Sequence, residues 1–445
     1  MALLASQTDQ ISLNPLGIVA LSGLGFHRAY FKPLFDNLGI RFVNLAPWDT
    51  KSAYNNLTDA SMPPAEEAMM RRFYGDVQEQ LDIALASGRG DKLSGGAAGA
   101  MDAGPYLIAS DAVKAGLVDD LSYAQEFEAR LRRTYPGASL VSGLGTEPSE
   151  SWGGPVFTRR VAIVWLSGDI VDGKGTAGEE IGTDAVSALE RLRNDPSVAA
   201  ILLKVDSPGG TVVTSDLIAR EVRLAVQSGK PVAVSMGQYA ASGGYYISAP
   251  ASHIVAEPLT VTGSIGVTGL VPNLSESLHK LGINYDGFDL SPGASFLDPA
   301  KPVDPSELAK DNAAILSYYA RFVEVVAAGR KMPEDAVRNI AEGRIWTGRE
   351  ASHIGLVDEL GGLDEAKAWL KTKIGDRLSY FNVLPGESSP FASLGRLSAD
   401  LRTALGQGEG KDVETLLEPF AKRLNTLFDM GAGPLYYLGE DVAPF

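Results

Sequence analysis

Between residues 161 and 236 the chain alternates short, unbroken apolar runs with longer stretches in which an apolar residue returns every three or four positions. Residues 161–166 are continuously apolar, the pattern of a strand covered on both faces. Residues 183–193 have helical period, with Thr183 placed as N-cap. A second strand is expected at 199–205, a helix at 215–227 closed by Gly229, a third strand at 231–236, and a helix start near Ala241. Strands that alternate with helices of about 10–15 residues predict βαβ units around a parallel sheet, so the fold class is α/β. Longer helices are predicted at 305–328 and 333–342.

Part of this pattern occurs twice. Ile11, Pro15, Leu16, Leu38, Gly39 and Ile40 return as Ile254, Pro258, Leu259, Leu281, Gly282 and Ile283, each 243 residues later. Gly116-Leu117-Val118-Asp119 returns as Gly355-Leu356-Val357-Asp358 at an offset of 239. An offset held over tens of residues predicts two tandem copies of one unit. The first copy is incomplete, because residues 161–250 have no counterpart ahead of Ile11. The expected division is an incomplete first repeat at 1–138, a linker at 139–155 rich in Gly, Ser, Pro and Glu, a complete second repeat at 156–385, and a tail at 386–445. In the tail, Val413, Leu417, Phe420, Leu424 and Leu427 follow helical spacing, interrupted by Pro419. No apolar run approaches the roughly 18–20 residues of a membrane span, and residues 1–14 lack the basic and apolar regions of a signal peptide. The chain is therefore expected to begin partway through its first repeat.

Composition narrows the function. Over 445 residues, 45% hydrophobic and 21% charged content describes a globular chain with ample core. A formal net charge of -16 argues against nucleic acid, whose phosphates need a basic surface. The absence of cysteine excludes disulfides and thiol catalysis, and the four scattered histidines form no metal motif, so neither metal nor cofactor is expected. Residues 168–175 miss a P-loop, because Gly175 stands where a Ser or Thr would ligate magnesium.

Candidate chemistry gathers at two strand ends, Asp206-Ser207-Pro208-Gly209-Gly210 and Ala240-Ala241-Ser242-Gly243-Gly244. In open α/β sheets ligands collect at the carboxyl ends of strands, so both loops should face one crevice. Glycine pairs leave backbone N–H groups uncovered, and such groups can hold a developing oxyanion. Ser242, set among small residues at a helix start, is the candidate nucleophile. The same pentapeptides would serve equally as an N-cap and a plain turn. The base is open: His253 has no carboxylate obviously placed to orient it, Lys204 sits within a strand, and Lys51 maps by the repeat offset onto Ala294, so only the first copy keeps that lysine. Taken alone, Lys51 reads as a solvated surface residue.

Several segments together resemble the signal peptide peptidase A (protease IV) family. They are residues 205–210, 235–246 and 259–266, the lysine segment Thr50-Lys51-Ser52-Ala53, and residues 345–351 followed by Gly355-Leu356-Val357-Asp358. The resemblance covers roughly residues 10–385 and implies a ClpP/crotonase-like fold with a Ser/Lys dyad. It gives Ser242 the role of nucleophile, Lys51 that of general base, and Gly209 and Gly210 that of oxyanion loop. It further implies peptide substrates such as remnant signal peptides, a homotetramer, and action at the periplasmic face of the inner membrane, although this chain shows no anchor. Two other readings stand beside it: a crotonase-type acyl-CoA hydratase or isomerase, which would use carboxylates, and a scaffold without activity.

Overall fold

The computed structural model describes residues 2–136 apart from Ser22, 158–284 and 296–386. The expected linker at 139–155 and the tail helix through Val413 and Leu427 lie outside the described residues.

Ten strands and six helices among the described residues position the site. The strands are β1 (Arg41–Asn44), β2 (Arg159–Ser167), β3 (Val198–Ser207), β4 (Val232–Ala241), β5 (His253–Ala256), β6 (Val261–Gly263), β7 (Leu270–Asn273), β8 (Ile345–Thr347), β9 (Glu359–Leu360) and β10 (Leu378–Val383). The helices are α1 (Pro64–Arg89), α2 (Thr183–Asn194), α3 (Val212–Gln227), α4 (Gly243–Ser248), α5 (Pro305–Arg330) and α6 (Leu363–Ile374).

Eight of the strands form one mixed sheet in the order β8-β6-β4-β3-β2-β10, with β5 paired to β4 and β9 to β5. All pairs are parallel except β6 with β8. The apolar runs read from the sequence are its centre, because alternate side chains of β2 and β3 are buried on opposite faces. Val164, Leu203 and Ile201 pack under α2 and α3 through Ala185, Leu189, Ile218 and Val222. Ile163, Leu202 and Ala233 pack on the other face against Ala366 and Leu370 of α6. The outcome is helix, sheet and helix in three layers, with one core cluster on each face of the sheet.

Two details differ from expectation. Thr183 is the first helical residue rather than the cap; the N-cap is Gly182, with no side-chain bond. β4 continues five residues beyond 236, because Tyr239 to Ala241 find a second partner in Val261 to Gly263. That pairing is long-range and leaves no trace in the apolar run, since Gly237 and Gln238 interrupt it.

The first half of the chain is tied to the second by backbone, through a separate two-stranded sheet. β1 pairs antiparallel with β7, Val43 opposite Val271, and Leu45 N–H donates to Gly269 O at 3.0 Å. It has its own small core around Leu21, Leu85, Met101, Tyr106 and Leu117. The two halves also repeat one bonding pattern. Asp119 N–H donates to Ile11 O and the Asp119 carboxylate accepts Ile11 N–H, while Asp358 does the same with Ile254. Arg89 and Arg330, the last residues of two 26-residue helices, fork onto Asp119 and Asp358 respectively. The Arg89 fork holds the Asp119 carboxyl well below the usual carboxylate range.

Candidate active site

β4 delivers Ser242 to the carboxyl end of the sheet, where the chain turns into α4. Ser242 is the N-cap of that helix, with φ 51° and ψ -118°. A non-glycine residue at positive φ carries strain and persists only where its surroundings hold it. Here Ser242 N–H donates to Gly263 O at 2.9 Å, and Ser242 O accepts Tyr246 N–H at 2.9 Å. The turn places the half-buried serine at the carboxyl end of the sheet, against a cavity.

The loop after β3 lies directly against this turn. A Cβ on Gly209, at φ +118°, would come within 2.8 Å of Ser242 Cβ and 2.7 Å of Gly243 N, so only glycine permits the approach. The two glycines then diverge. Gly209 N–H donates to Ser207 Oγ at 3.2 Å and Gly209 O accepts Ile170 N–H. The N–H groups of Gly210 and Gly243 enter none of the hydrogen bonds among the described residues. Within the glycine pair predicted as the oxyanion loop, Gly210 carries the uncovered donor, and Gly243 adds a second that the sequence reading did not name.

Lys51 reaches the same point from the first half. Its Nζ lies 3.2 Å from Ser242 Oγ, 2.9 Å from Ser264 Oγ and 3.2 Å from Ser264 O. Lys51 is 7% exposed, and burial lowers its amine from 10.5 to about 8. Three contacts fix the backbone around it. Thr50 Oγ1 donates to Glu342 O, Lys51 N–H donates to Trp48 O, and Trp48 packs on Tyr319 with ring centroids 3.9 Å apart. Gly343, at φ +81°, closes over the lysine so tightly that a Cβ there would stand 2.6 Å from Lys51 Cβ.

The other candidate bases are elsewhere. His253 opens β5, whose pairing with Ala233 puts it at the amino end of the sheet, away from Ser242. It does have a carboxylate, contrary to the sequence reading: Glu359 Oε2 lies 2.9 Å from Nε2, and the ring stacks on Trp369. Lys204 donates to Met236 O at 2.9 Å and to Ser235 Oγ at 3.3 Å, so its amine is engaged within the sheet. Ser264 was missed as a site residue. It lies inside the segment 259–266 that carries the resemblance, but its contact with Lys51 spans 213 positions.

A cavity of about 800 Å³ opens over Ser242, Lys51 and Ser264. Phe26, Phe31, Met69, Phe73, Val267 and Phe322 supply apolar walls, and no aspartate or glutamate is among its described lining residues. Among the described residues no helix is long and apolar enough to cross a membrane.

Comparison with known proteins completes the picture. A family model described as peptidase family S49 matches residues 2–135 and 225–375, the segments that hold Lys51, Ser242 and Ser264. "Protease 4" of Salmonella typhi is 34% identical over 381 residues, covering 82% of this chain and 60% of that protein. "Protease 4" of Haemophilus influenzae is 32% identical, with 82% and 61% covered. The chloroplastic "Serine protease SPPA" of Arabidopsis thaliana is 29% identical, with 87% and 58% covered. The chain thus spans about three fifths of the length of these relatives.

Proposed function

The chain belongs to peptidase family S49, and we propose on that basis that it is a serine peptidase whose nucleophile is Ser242 and whose general base is Lys51. The observation that carries the proposal is the buried amine 3.2 Å from the serine hydroxyl. A neutral lysine has two N–H donors and one lone pair. With the donors directed to Ser264 Oγ and Ser264 O, the lone pair is left for the Ser242 hydroxyl proton. Ser242 Oγ then attacks the scissile carbonyl and its proton passes to Lys51. The Gly210 and Gly243 N–H groups receive the oxyanion, a contribution of about 3–4 kcal/mol for each donor. Lys51 next protonates the leaving amine, and in the second half it takes a proton from the water that hydrolyses the ester.

The apolar cavity suits an extended, uncharged peptide, in keeping with relatives named as proteases and as a signal peptide peptidase. We therefore assign remnant signal peptides as the substrate class. The acyl-CoA alternative would need a carboxylate near the reacting atoms, and the described lining has none. Labelling of Ser242 by a fluorophosphonate together with cleavage of an apolar fluorogenic peptide tests the assignment. A chain that neither labels nor cleaves would leave the scaffold reading standing.

Two further outcomes are expected. kcat/KM should rise about tenfold per pH unit on the acid side and level off near pH 8, because only the neutral amine can accept the proton. An acid limb near 6.5 would instead point to a histidine. Gly343→Ala should lower kcat by about 100-fold with KM little changed, since the added Cβ must push Lys51 from its contact. Steady-state kinetics on the purified variant check this.

We also read the chain as two tandem units of ClpP/crotonase-like plan, 1–138 and 156–385, the first incomplete. In support, Arg89–Asp119–Ile11 and Arg330–Asp358–Ile254 make the same bonds at the ends of helices of equal length. The resemblance extends to a homotetramer at the periplasmic face of the inner membrane. Sedimentation as a single 47.0 kDa particle at working concentration would remove the tetramer.

A further inference from the structure

Beneath the lysine segment lies a buried polar cluster that the mechanism above does not use. Glu66, in the first turn of α1, is fully buried. Its carboxylate accepts from Arg28 Nη1 at 2.9 Å, Asn55 Nδ2 at 2.9 Å and Tyr30 Oη at 3.2 Å. Arg28 carries the cluster onward. Nη1 also donates to Ser52 O at 2.9 Å, and Nη2 donates to Ala53 O at 2.7 Å and Asn56 Oδ1 at 2.9 Å. The two carbonyls belong to the residues that directly follow Lys51.

A buried carboxylate is a poor device for stability alone, because its desolvation offsets much of its attraction to the half-buried Arg28. It is a good device for geometry. A guanidinium holds its donors in a rigid plane, so two consecutive carbonyls and a carboxylate bound to one fork cannot move independently. The segment 51–56 is held at its ends, by Lys51 N–H on Trp48 O and by Phe31 N–H on Asn56 O, and the Arg28 fork takes the Ser52 and Ala53 carbonyls between them. The fork links that segment to α1. The same helix grips the opposite wall, because Asp76 accepts from Thr347 and Arg349, and β8 begins two residues after Gly343, which packs on Lys51.

We infer that Arg28 and Glu66 are positioning residues that hold the Lys51 amine on Ser242. Neither touches the reacting atoms; the pair acts through the backbone of residues 52 and 53. The inference rests on the Ser242/Lys51 reading.

The test compares Arg28→Lys and Glu66→Gln with Lys51→Ala and Ser242→Ala in cleavage of an apolar fluorogenic peptide from pH 6 to 10. Arg28→Lys keeps the charge and loses the fork; Glu66→Gln keeps the shape and loses the charge. Both should lower kcat by roughly 30–100-fold with KM within about threefold, as misplacement of a catalytic group does. Both should also move the acid limb to higher pH, because a loosened segment admits water around the amine. The double variant should be little worse than either single one, since the two residues act as a unit. Arg28 lines the cavity, so a loss confined to KM would make it a substrate contact and overturn the inference. A loss that follows the melting temperature with no shift of the limb would reduce the pair to a structural role and overturn it too. If one variant fails to fold, the other carries the same readouts. Activity retained by Lys51→Ala would sink the dyad itself, whereas dead dyad variants beside an unaltered Arg28→Lys would sink only the positioning role.

Discussion

Ser242→Ala is expected to lower kcat/KM for an apolar peptide by about 10⁵-fold or more while the fold is retained. Removal of the nucleophile from a serine peptidase costs about 10⁶ in kcat, and what survives comes from the oxyanion donors and binding. The structural change is small. Alanine meets the same positive-φ strain as serine at φ 51°, and both backbone bonds of residue 242 remain available. The circular dichroism spectrum and melting temperature should therefore match the parent closely, with a difference of about 1 kcal/mol or less. Fluorophosphonate labelling should vanish with the activity. Turnover within tenfold of the parent, in protein shown by mass spectrometry to carry alanine, would remove Ser242 from the mechanism.

The serine and the lysine could be found in the sequence for different reasons. Ser242 announces itself locally, because a hydroxyl among four residues no larger than alanine at a strand end implies close approach. Lys51 has no such local mark and reads as a solvated residue; the repeat offset notes it, and the motif resemblance gives it a role. Its burial comes from β1 pairing with β7 more than 220 residues away, from Gly343 and from Ser264, and no window of the sequence contains these together. The same holds for Arg28 and Glu66, which are separated by 38 positions and look like ordinary surface charges. Strands were legible where burial on both faces makes an unbroken apolar run, as in β2 and β3. They were not legible where pairing extends past the run, as at Tyr239 to Ala241. Of the glycine pair, the sequence reveals that backbone is uncovered, but which N–H stays uncovered depends on the fold of the loop, where Gly209 N–H is taken up by Ser207 Oγ.

Lys51→Met should abolish activity and stabilise the protein in the same stroke. With the proposed base gone, Ser242 should keep its proton, and kcat should fall by about 10⁴-fold or more. The stability effect follows from the amine. Burial lowers it from 10.5 to about 8, so the folded state binds its proton more weakly than the unfolded chain does. Below pH 8 the charged amine therefore costs about 3 kcal/mol, at 1.36 kcal/mol per unit. Between about 8 and 10.5 the unfolded chain holds the extra proton, parent stability rises with pH, and the cost fades. Methionine has no charge to desolvate but leaves Ser264 Oγ and Ser264 O short of a donor, a loss of about 1 kcal/mol. The net gain should be about 2 kcal/mol at pH 7 and gone by about pH 10, as read by urea denaturation across that range. Lys51→Arg separates the two effects. A guanidinium stays protonated at every working pH, so this variant should be as inactive as methionine yet less stable than the parent. A methionine variant no more stable than the parent at pH 7 would mean that the amine is solvated in the folded protein. A solvated amine would keep its proton up to 10.5 rather than about 8, leaving about 300-fold less neutral base at pH 7, so the loss of that stability gain would remove the general base along with it.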